Sequence, residues 1–250
     1  MTEGVLAGQV ALVTGAGGGI GSAVTQRLAQ AGARVVMTYR SSADETHALA
    51  AGLPGDDHMV VQVQVDDSDA LKALADQVRA RYGRLDILVN NAGATRFVPH
   101  DDLDALDDDL IDMIFRTNWR GAFACVRAFK DLLAEGDGGV VINMSSIAGT
   151  TGLGSNVAYA ASKAGLDSMT RSLGRALAPQ IRFVSVSPGL VEGKYASSFD
   201  PAWKQGHVDQ TPLGRLATGD DVADMVLAAA AYMPLTTGVI LNVDGGRFLP

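Results

Sequence analysis

Tyr159 and Lys163 stand four residues apart in Tyr159-Ala-Ala-Ser-Lys163, with Ser146 thirteen residues upstream and Thr14-Gly15-Ala-Gly-Gly-Gly-Ile-Gly21 near the start of the chain. At i and i+4 on a helix, the phenol and the ammonium leave from one face. A phenol beside an ammonium exchanges a proton near neutral pH, which a lone tyrosine does not. The glycine run offers the matching half, a place for a dinucleotide. Together they imply hydride transfer to or from a carbonyl carbon, with Tyr159 handling the proton. A free phenol has a pKa of about 10, and lowering it by about 3 units takes about 4 kcal/mol. One ammonium at about 4 Å in a partly desolvated site supplies roughly that much. Lys163 is therefore expected to be sufficient to activate Tyr159.

These side chains need strands and helices to hold them. Short β-branched runs recur at Val10–Val13, Arg34–Tyr39, Val60–Val65, Leu85–Val89, Val140–Asn143, Ile181–Val186 and Val239–Val243. Most are nearly continuous apolar runs, as in strands covered on both faces. Segments of helical period lie between them, for example Leu166, Met169, Leu173 and Leu177. The alternation predicts an α/β fold: one Rossmann-type doubly wound domain, with a seven-stranded, mainly parallel sheet and helices on both faces. Without a proline- or serine-rich linker, residues 1–250 read as a single dinucleotide-binding and catalytic domain. Residues 190–211 read as a substrate lid carrying Tyr195, Phe199, Trp203 and His207. Those rings either line an aromatic pocket or pack the lid against the body.

Gly15, Gly19 and Gly21, with Ile20 between the last two, follow the first strand and open the first helix. Glycine lets the backbone approach a pyrophosphate and leaves helix N-terminal amides pointing at it. The end of the second strand chooses the cofactor. An acid there would hold the ribose of NAD(H), but the chain has Tyr39-Arg40-Ser41-Ser42, with no carboxylate until Asp44. Arg40 pairs with a 2′-phosphate and Ser41 donates to it, so NADP(H) is favoured over NAD(H). Asp66, ending the third strand, either accepts from the adenine amino group or caps the following helix.

The net charge of −8 and pI of about 4.9 repel phosphate backbones and anionic lipid, so neither nucleic acid nor membrane is an expected partner. The single Cys125 excludes an internal disulfide and reads as a small buried apolar residue. The stretch Asp101 to Asp109 holds six aspartates, with Leu103, Leu106 and Leu110 at helical spacing. It reads as a helix with a solvated acidic face rather than a cation site, and the four histidines are scattered, so no metal is expected. Met1-Thr-Glu-Gly lacks a basic signal-like region, and the longest apolar run, Met225 to Met233, has nine residues. A soluble cytoplasmic protein is expected.

The chain resembles the short-chain dehydrogenase/reductase family along its whole length. The resemblance rests on the glycine loop, Asp66, Asn90-Asn91-Ala92-Gly93, Asn118, Ser146, Tyr159-x-x-x-Lys163, Ser187-Pro188-Gly189 and Asn242-Val-Asp-Gly-Gly246. It implies a catalytic tetrad of Asn118, Ser146, Tyr159 and Lys163, with Ser146 rather than Ser145 chosen by its spacing to Tyr159. It sets Asn91, Ala92 and Gly93 along the cofactor, and Pro188 and Gly189 beside the nicotinamide. Asn118 would hold a water linking Lys163 to solvent. A homo-oligomer, tetramer or dimer, would use the helices of Trp119 to Leu133 and Ala160 to Leu177. Two departures stand out: Gly18 where NADP-dependent members often carry a basic residue, and Gly193 where many carry a threonine that touches the carboxamide. The implied activity is reduction of a ketone to a secondary alcohol, or the reverse, on a small carbonyl or alcohol substrate. The nearest subgroup pattern is that of 3-oxoacyl-[acyl-carrier-protein] or 3-oxoacyl-CoA reductases. Glu135, Asp137 and Gln180 occupy positions where those reductases offer basic residues to an acidic carrier, which ranks carrier substrates second. A cofactor-binding sensor or scaffold without chemistry is the reading of another class.

Overall fold

The computed structural model describes residues 4–193 and 195–249, apart from the side chain of Ser198. The Met1 to Glu3 start and Lys194 of the lid lie outside the described residues. β1 (Val10–Thr14) is buried at every position, because both faces of its strand are covered. Ala11 and Val13 enter one core with Val24 and Leu28 of α1 (Gly19–Gln30) and with Val222 and Val226 of α9 (Gly219–Ala231). Val10 and Leu12 enter the other, with Leu71 and Leu74 of α3 (Ser68–Tyr82) and Phe129 and Leu133 of α5 (Ala122–Leu133). The strand period of two divides successive residues between two helical layers.

The other strands are β2 (Arg34–Tyr39), β3 (Met59–Gln62), β4 (Ile87–Asn90), β5 (Gly139–Met144), β6 (Ile181–Pro188) and β7 (Val239–Val243). Among the described residues they form one seven-stranded sheet of order β3-β2-β1-β4-β5-β6-β7, with every pairing parallel. The order reverses between β1 and β4, and a crevice opens outside the carboxyl ends of strands at such a switch. Around the sheet lie α2 (Ala43–Ala51), α4 (Asp108–Phe115), the short α6 (Ala148–Thr151), α7 (Val157–Ala176) and α8 (Pro201–Asp209). No helix of the described residues is long and apolar enough to cross a membrane.

Three local expectations change. β3 ends at Gln62, whose Nε2 donates to the Arg40 carbonyl at 2.9 Å; Val63 and Val65 are buried beyond it. β4 begins after Asp86, whose carboxylate accepts the Val10 amide at 2.7 Å and a fork from Arg84. In the acidic stretch the helix starts only at Asp108, capped by the Asp107 carboxylate on the Leu110 amide at 2.8 Å. Upstream, Asp102 accepts from the Ala105 amide in a local turn that competes with helix, and Leu103 stays 73 % exposed.

Candidate active site

The loop Gly15–Gly18 joins β1 to α1 with Gly15 at φ +65°. Its backbone is braced from β4. Asn91 Nδ2 donates to the Thr14 and Gly15 carbonyls at 2.9 and 3.0 Å, while Thr14 Oγ1 accepts the Asn91 and Ala92 amides. The Asn91 side chain is therefore committed to holding the loop. No side chain caps α1, and its first turn carries no acid, so its amide ends point outward uncovered. A Cβ built at Gly19 meets nothing within 4 Å, whereas one at Gly17 would lie 2.5 Å from Thr46 Oγ1 and 2.6 Å from Ser42 Oγ. The loop thus leaves a free cradle at Gly19 and abuts the start of α2, and these features fit a dinucleotide. Gly19→Ala is expected to fold as well as the parent, since alanine favours a helix, while dinucleotide affinity falls about tenfold or more; fluorescence titration beside a melting curve separates the two effects.

Arg40 and Ser41 are exposed at the end of β2, and Ser42 precedes α2 with its carbonyl accepting from Thr46 Oγ1 at 2.6 Å. Asp66 is half-buried near Arg120, 3.9 Å away. Asp67, not Asp66, caps α3, accepting from the Asp69 and Ala70 amides, which leaves the Asp66 carboxylate uncommitted to the helix. At the end of β6, the Pro188 carbonyl accepts from the Ile147 amide, and the Gly189 amide donates to the Val243 carbonyl, both at 3.0 Å. This ties the Pro188-Gly189 corner to the turn after β5.

That turn presents Ser145 and Ser146. Ser145 is buried and its Oγ donates to the Lys163 carbonyl at 3.4 Å. Ser146 is half-buried; its Oγ accepts the Ala148 amide at 3.2 Å and faces the Tyr159 phenol. Asn156 starts α7 by accepting the Tyr159 amide at 2.7 Å, which fixes the phase of the helix and so the face shared by Tyr159 and Lys163. Lys163 is 5 % exposed, donates to the Met144 carbonyl at 2.6 Å, and holds its Nζ 5.6 Å from the centre of the Tyr159 ring. Asn118 lies in a π-helical segment (Arg116–Gly121) between α4 and α5. Such widened turns are often found at functional sites. Its Oδ1 accepts the Ala94 amide at 2.7 Å, and its Nδ2 donates to the Ala94 carbonyl and to Ser162 Oγ, both at 3.1 Å. The side chain clasps the chain beyond β4 onto α7. Both amide protons are committed, which leaves only Oδ1 capacity for a water. A Cβ at Gly93 would lie 3.6 Å from Asn118 Oδ1 and 3.9 Å from Lys163 Nζ, so Gly93 keeps the gap between them narrow.

Two expectations are overturned by this geometry. Burial raises the Tyr159 phenol above its ordinary value, with the Ser146 hydrogen bond only partly opposing it. The same burial lowers Lys163 to about 8. Desolvation of both groups thus outweighs the attraction of an ammonium directed at a carbonyl, contrary to the expected lowering of the phenol by Lys163. Glu135, Asp137 and Gln180 also lose their assigned meaning. They precede β5 and β6, whereas Ser146 and Gly189 follow these strands, so they lie at the opposite edge of the sheet within this chain. A six-residue strand spans about 20 Å. Glu135 is moreover paired with Arg79 at 2.7 Å.

The rings of this segment pack against one another and against the body. Phe199 packs edge-on to Tyr195 and to Phe97, and stacks on Trp203 with centroids 4.3 Å apart. Yet Phe97, Tyr195 and Trp203 stay 50, 46 and 39 % exposed. Phe97, from the chain beyond β4, was not foreseen because a lone aromatic in a loop carries no periodicity. Gly193, with φ +145°, offers no side chain to a ligand, and a Cβ there would meet nothing.

Comparison with known proteins agrees with this arrangement. Residues 15–247 match a family described as Enoyl-(Acyl carrier protein) reductase. The chain is 41% identical over 244 residues, 96% of both chains, to a protein of Streptomyces violaceoruber named as ketoacyl reductase 2 of the granaticin polyketide synthase. It is 34% identical to the 3-oxoacyl-[acyl-carrier-protein] reductase of Thermotoga maritima, over 96% of this chain and 98% of that one. A short-chain dehydrogenase/reductase from Brucella melitensis superposes with a TM-score of 0.92 at 26% identity, covering 100% of both chains. The chain belongs to the short-chain dehydrogenase/reductase family, in its 3-oxoacyl reductase-like group, and is an oxidoreductase acting on CH–OH groups.

Proposed function

We propose that this protein is an NADP(H)-dependent 3-oxoacyl reductase that converts the ketone of a 3-oxoacyl thioester to a secondary alcohol. The observation that carries this reading is the meeting of the Tyr159 phenol and the Ser146 hydroxyl beside the buried Lys163, whose Nζ lies 5.6 Å from the centre of the Tyr159 ring. Two hydroxyls that meet at one point offer two hydrogen bonds to one substrate oxygen. Ser146 holds the carbonyl oxygen, and Tyr159 donates its proton to that oxygen as negative charge grows there. A dinucleotide held at the Gly15–Gly19 loop and the Pro188-Gly189 corner would supply the hydride and, once oxidised, a positive charge. Lys163 adds its charge from below and is held at the Met144 carbonyl. Asn118 keeps the chain beyond β4 docked on α7, so the cofactor side and the tyrosine side of the site stay in register.

A thioester substrate takes precedence over free ketones because the relatives named above are ketoacyl and 3-oxoacyl reductases. The acidic positions that argued against a carrier lie at the far edge of the sheet. The preference for NADP(H) rests on the exposed Arg40 and Ser41 at the end of β2. A charge-assisted hydrogen bond contributes about 1.5–3 kcal/mol. Arg40→Ala is therefore expected to weaken NADPH binding by roughly ten- to a hundredfold and leave NADH within about twofold, read from KM for each cofactor. NADPH consumption with a short 3-oxoacyl thioester, beside simple and cyclic ketones, tests the substrate class. Preference for the thioester is expected; turnover confined to free ketones would replace this reading with that of a small-molecule carbonyl reductase.

A further inference from the structure

Behind the site lies a polar group that the proposed chemistry leaves unused. Asp167 follows Lys163 by one turn of α7, is 3 % exposed, and has an Oδ1 with no hydrogen-bond partner. It points into a buried polar seam between α7 and the sheet. Asn90 Nδ2 donates to Asn143 Oδ1 at 2.9 Å, Asn143 Nδ2 to Thr170 Oγ1 at 2.8 Å, and Thr170 Oγ1 meets Ser185 Oγ at 2.8 Å. The Asp167 carboxylate faces the hydroxyls of Ser145 and Ser185, and burial pushes it up from the usual carboxylate range. A carboxylate seldom stays buried without cationic company.

The charged and titratable groups around the pair are few. On α7 they are Tyr159, Lys163 and the exposed Arg171. β5 offers Lys163 only the Met144 carbonyl, and β6 offers Asp167 only Ser185. Arg182 of β6 is engaged with the carbonyls of Met233, Thr236, Ala229 and Ala230. α4 packs through Leu110 and Ile114 and leaves Asp108, Asp109 and Asp112 in solvent. Asn118, from the π-helical segment, is neutral. Among the described residues, Asp167 is the group whose charge favours that of Lys163.

We infer that Asp167 is a positioning residue: a buried counter-charge, one turn of α7 beyond Lys163, that keeps the lysine protonated. Burial would otherwise act unopposed on the lysine, whose ammonium reaches a single carbonyl. Only the kinetic arm of the test rests on the reductase reading.

The direct test follows the side-chain signals of the five lysines by NMR in isotopically labelled protein, with Lys163 identified by its loss in Lys163→Arg. In the parent, Lys163 is expected to titrate near 8. In Asp167→Asn, which keeps the shape and removes the charge, the titration moves down by about one unit. The alkaline limb of kcat/KM for ketone reduction moves with it: about a tenfold loss at the parent's own limb, and activity within about twofold below pH 6. Asp167→Ser, smaller and likewise uncharged, gives a shift of the same sign and serves if Asp167→Asn does not fold. An unchanged Lys163 titration in a folded variant, or a loss of activity uniform across pH, overturns the proposal. A shifted NMR titration without any ketone reduction would leave it standing and remove the reductase reading instead.

Discussion

Tyr159→Phe is expected to lower kcat/KM for a 3-oxoacyl thioester by about a thousandfold or more while leaving NADPH affinity within about twofold. A positioned general acid contributes roughly a hundred- to ten-thousandfold, and a thousandfold corresponds to about 4 kcal/mol of transition-state stabilisation. Phenylalanine keeps the ring, and therefore the contact with Lys163 below it, but removes the one hydroxyl that meets Ser146. Ser146 then remains as a hydrogen-bond donor to the carbonyl oxygen, with no group placed to complete proton transfer. Stopped-flow turnover beside a cofactor titration reads both quantities. A variant that kept more than a tenth of parental turnover would show that the proton comes from elsewhere.

The second large effect concerns architecture. Gly21 is buried in the first turn of α1, and a Cβ there would fall well inside van der Waals contact of the Gly15 carbonyl oxygen, 2.7 Å from Asn91 Nδ2 and 3.1 Å from the Ala16 Cα. Two of these are backbone atoms of the loop itself, and the third is the amide that braces it. None of them yields without opening the loop. Gly21→Val is expected to destabilise the fold by about 3 kcal/mol or more and to abolish measurable NADPH binding. Thermal melting with and without NADPH measures both, and the parent's stabilisation by the cofactor should vanish in the variant. The contrast with Gly19, where a methyl group meets open space, makes the pair diagnostic. One glycine makes room for the protein and the other for its ligand.

How far the sequence carried these conclusions depends on what each residue does. β2 and β7 were legible to the residue, because β-branched runs bounded by polar turns admit little else. The start of α4 was not. Leu103 and Leu106 mimic helical spacing, but aspartates that bond to nearby amides hold a turn there instead. The grouping of Tyr159, Lys163 and Ser146 was legible because the first two share a spacing on one helix and the third follows a strand end beside it. Their electrostatics were not. Whether an ammonium lowers a phenol depends on where Nζ points and how much water surrounds both groups, and here Lys163 turns to the Met144 carbonyl. The work of Asn91 and Asn118 was also hidden, since side-chain amides that brace a backbone leave no pattern in a sequence. Glu135 and Asp137 show the opposite error: the strand that follows carries the chain across the sheet, away from the edge where they stand.

The most direct test of the account is the fate of deuterium carried at the reactive carbon of NADPH, with a short 3-oxoacyl thioester as acceptor. The account predicts a 3-hydroxyacyl product labelled at carbon 3, formed by the parent and lost to the same degree as turnover in Tyr159→Phe. Product labelled at carbon 2, or consumption of NADPH without a labelled alcohol, would contradict it.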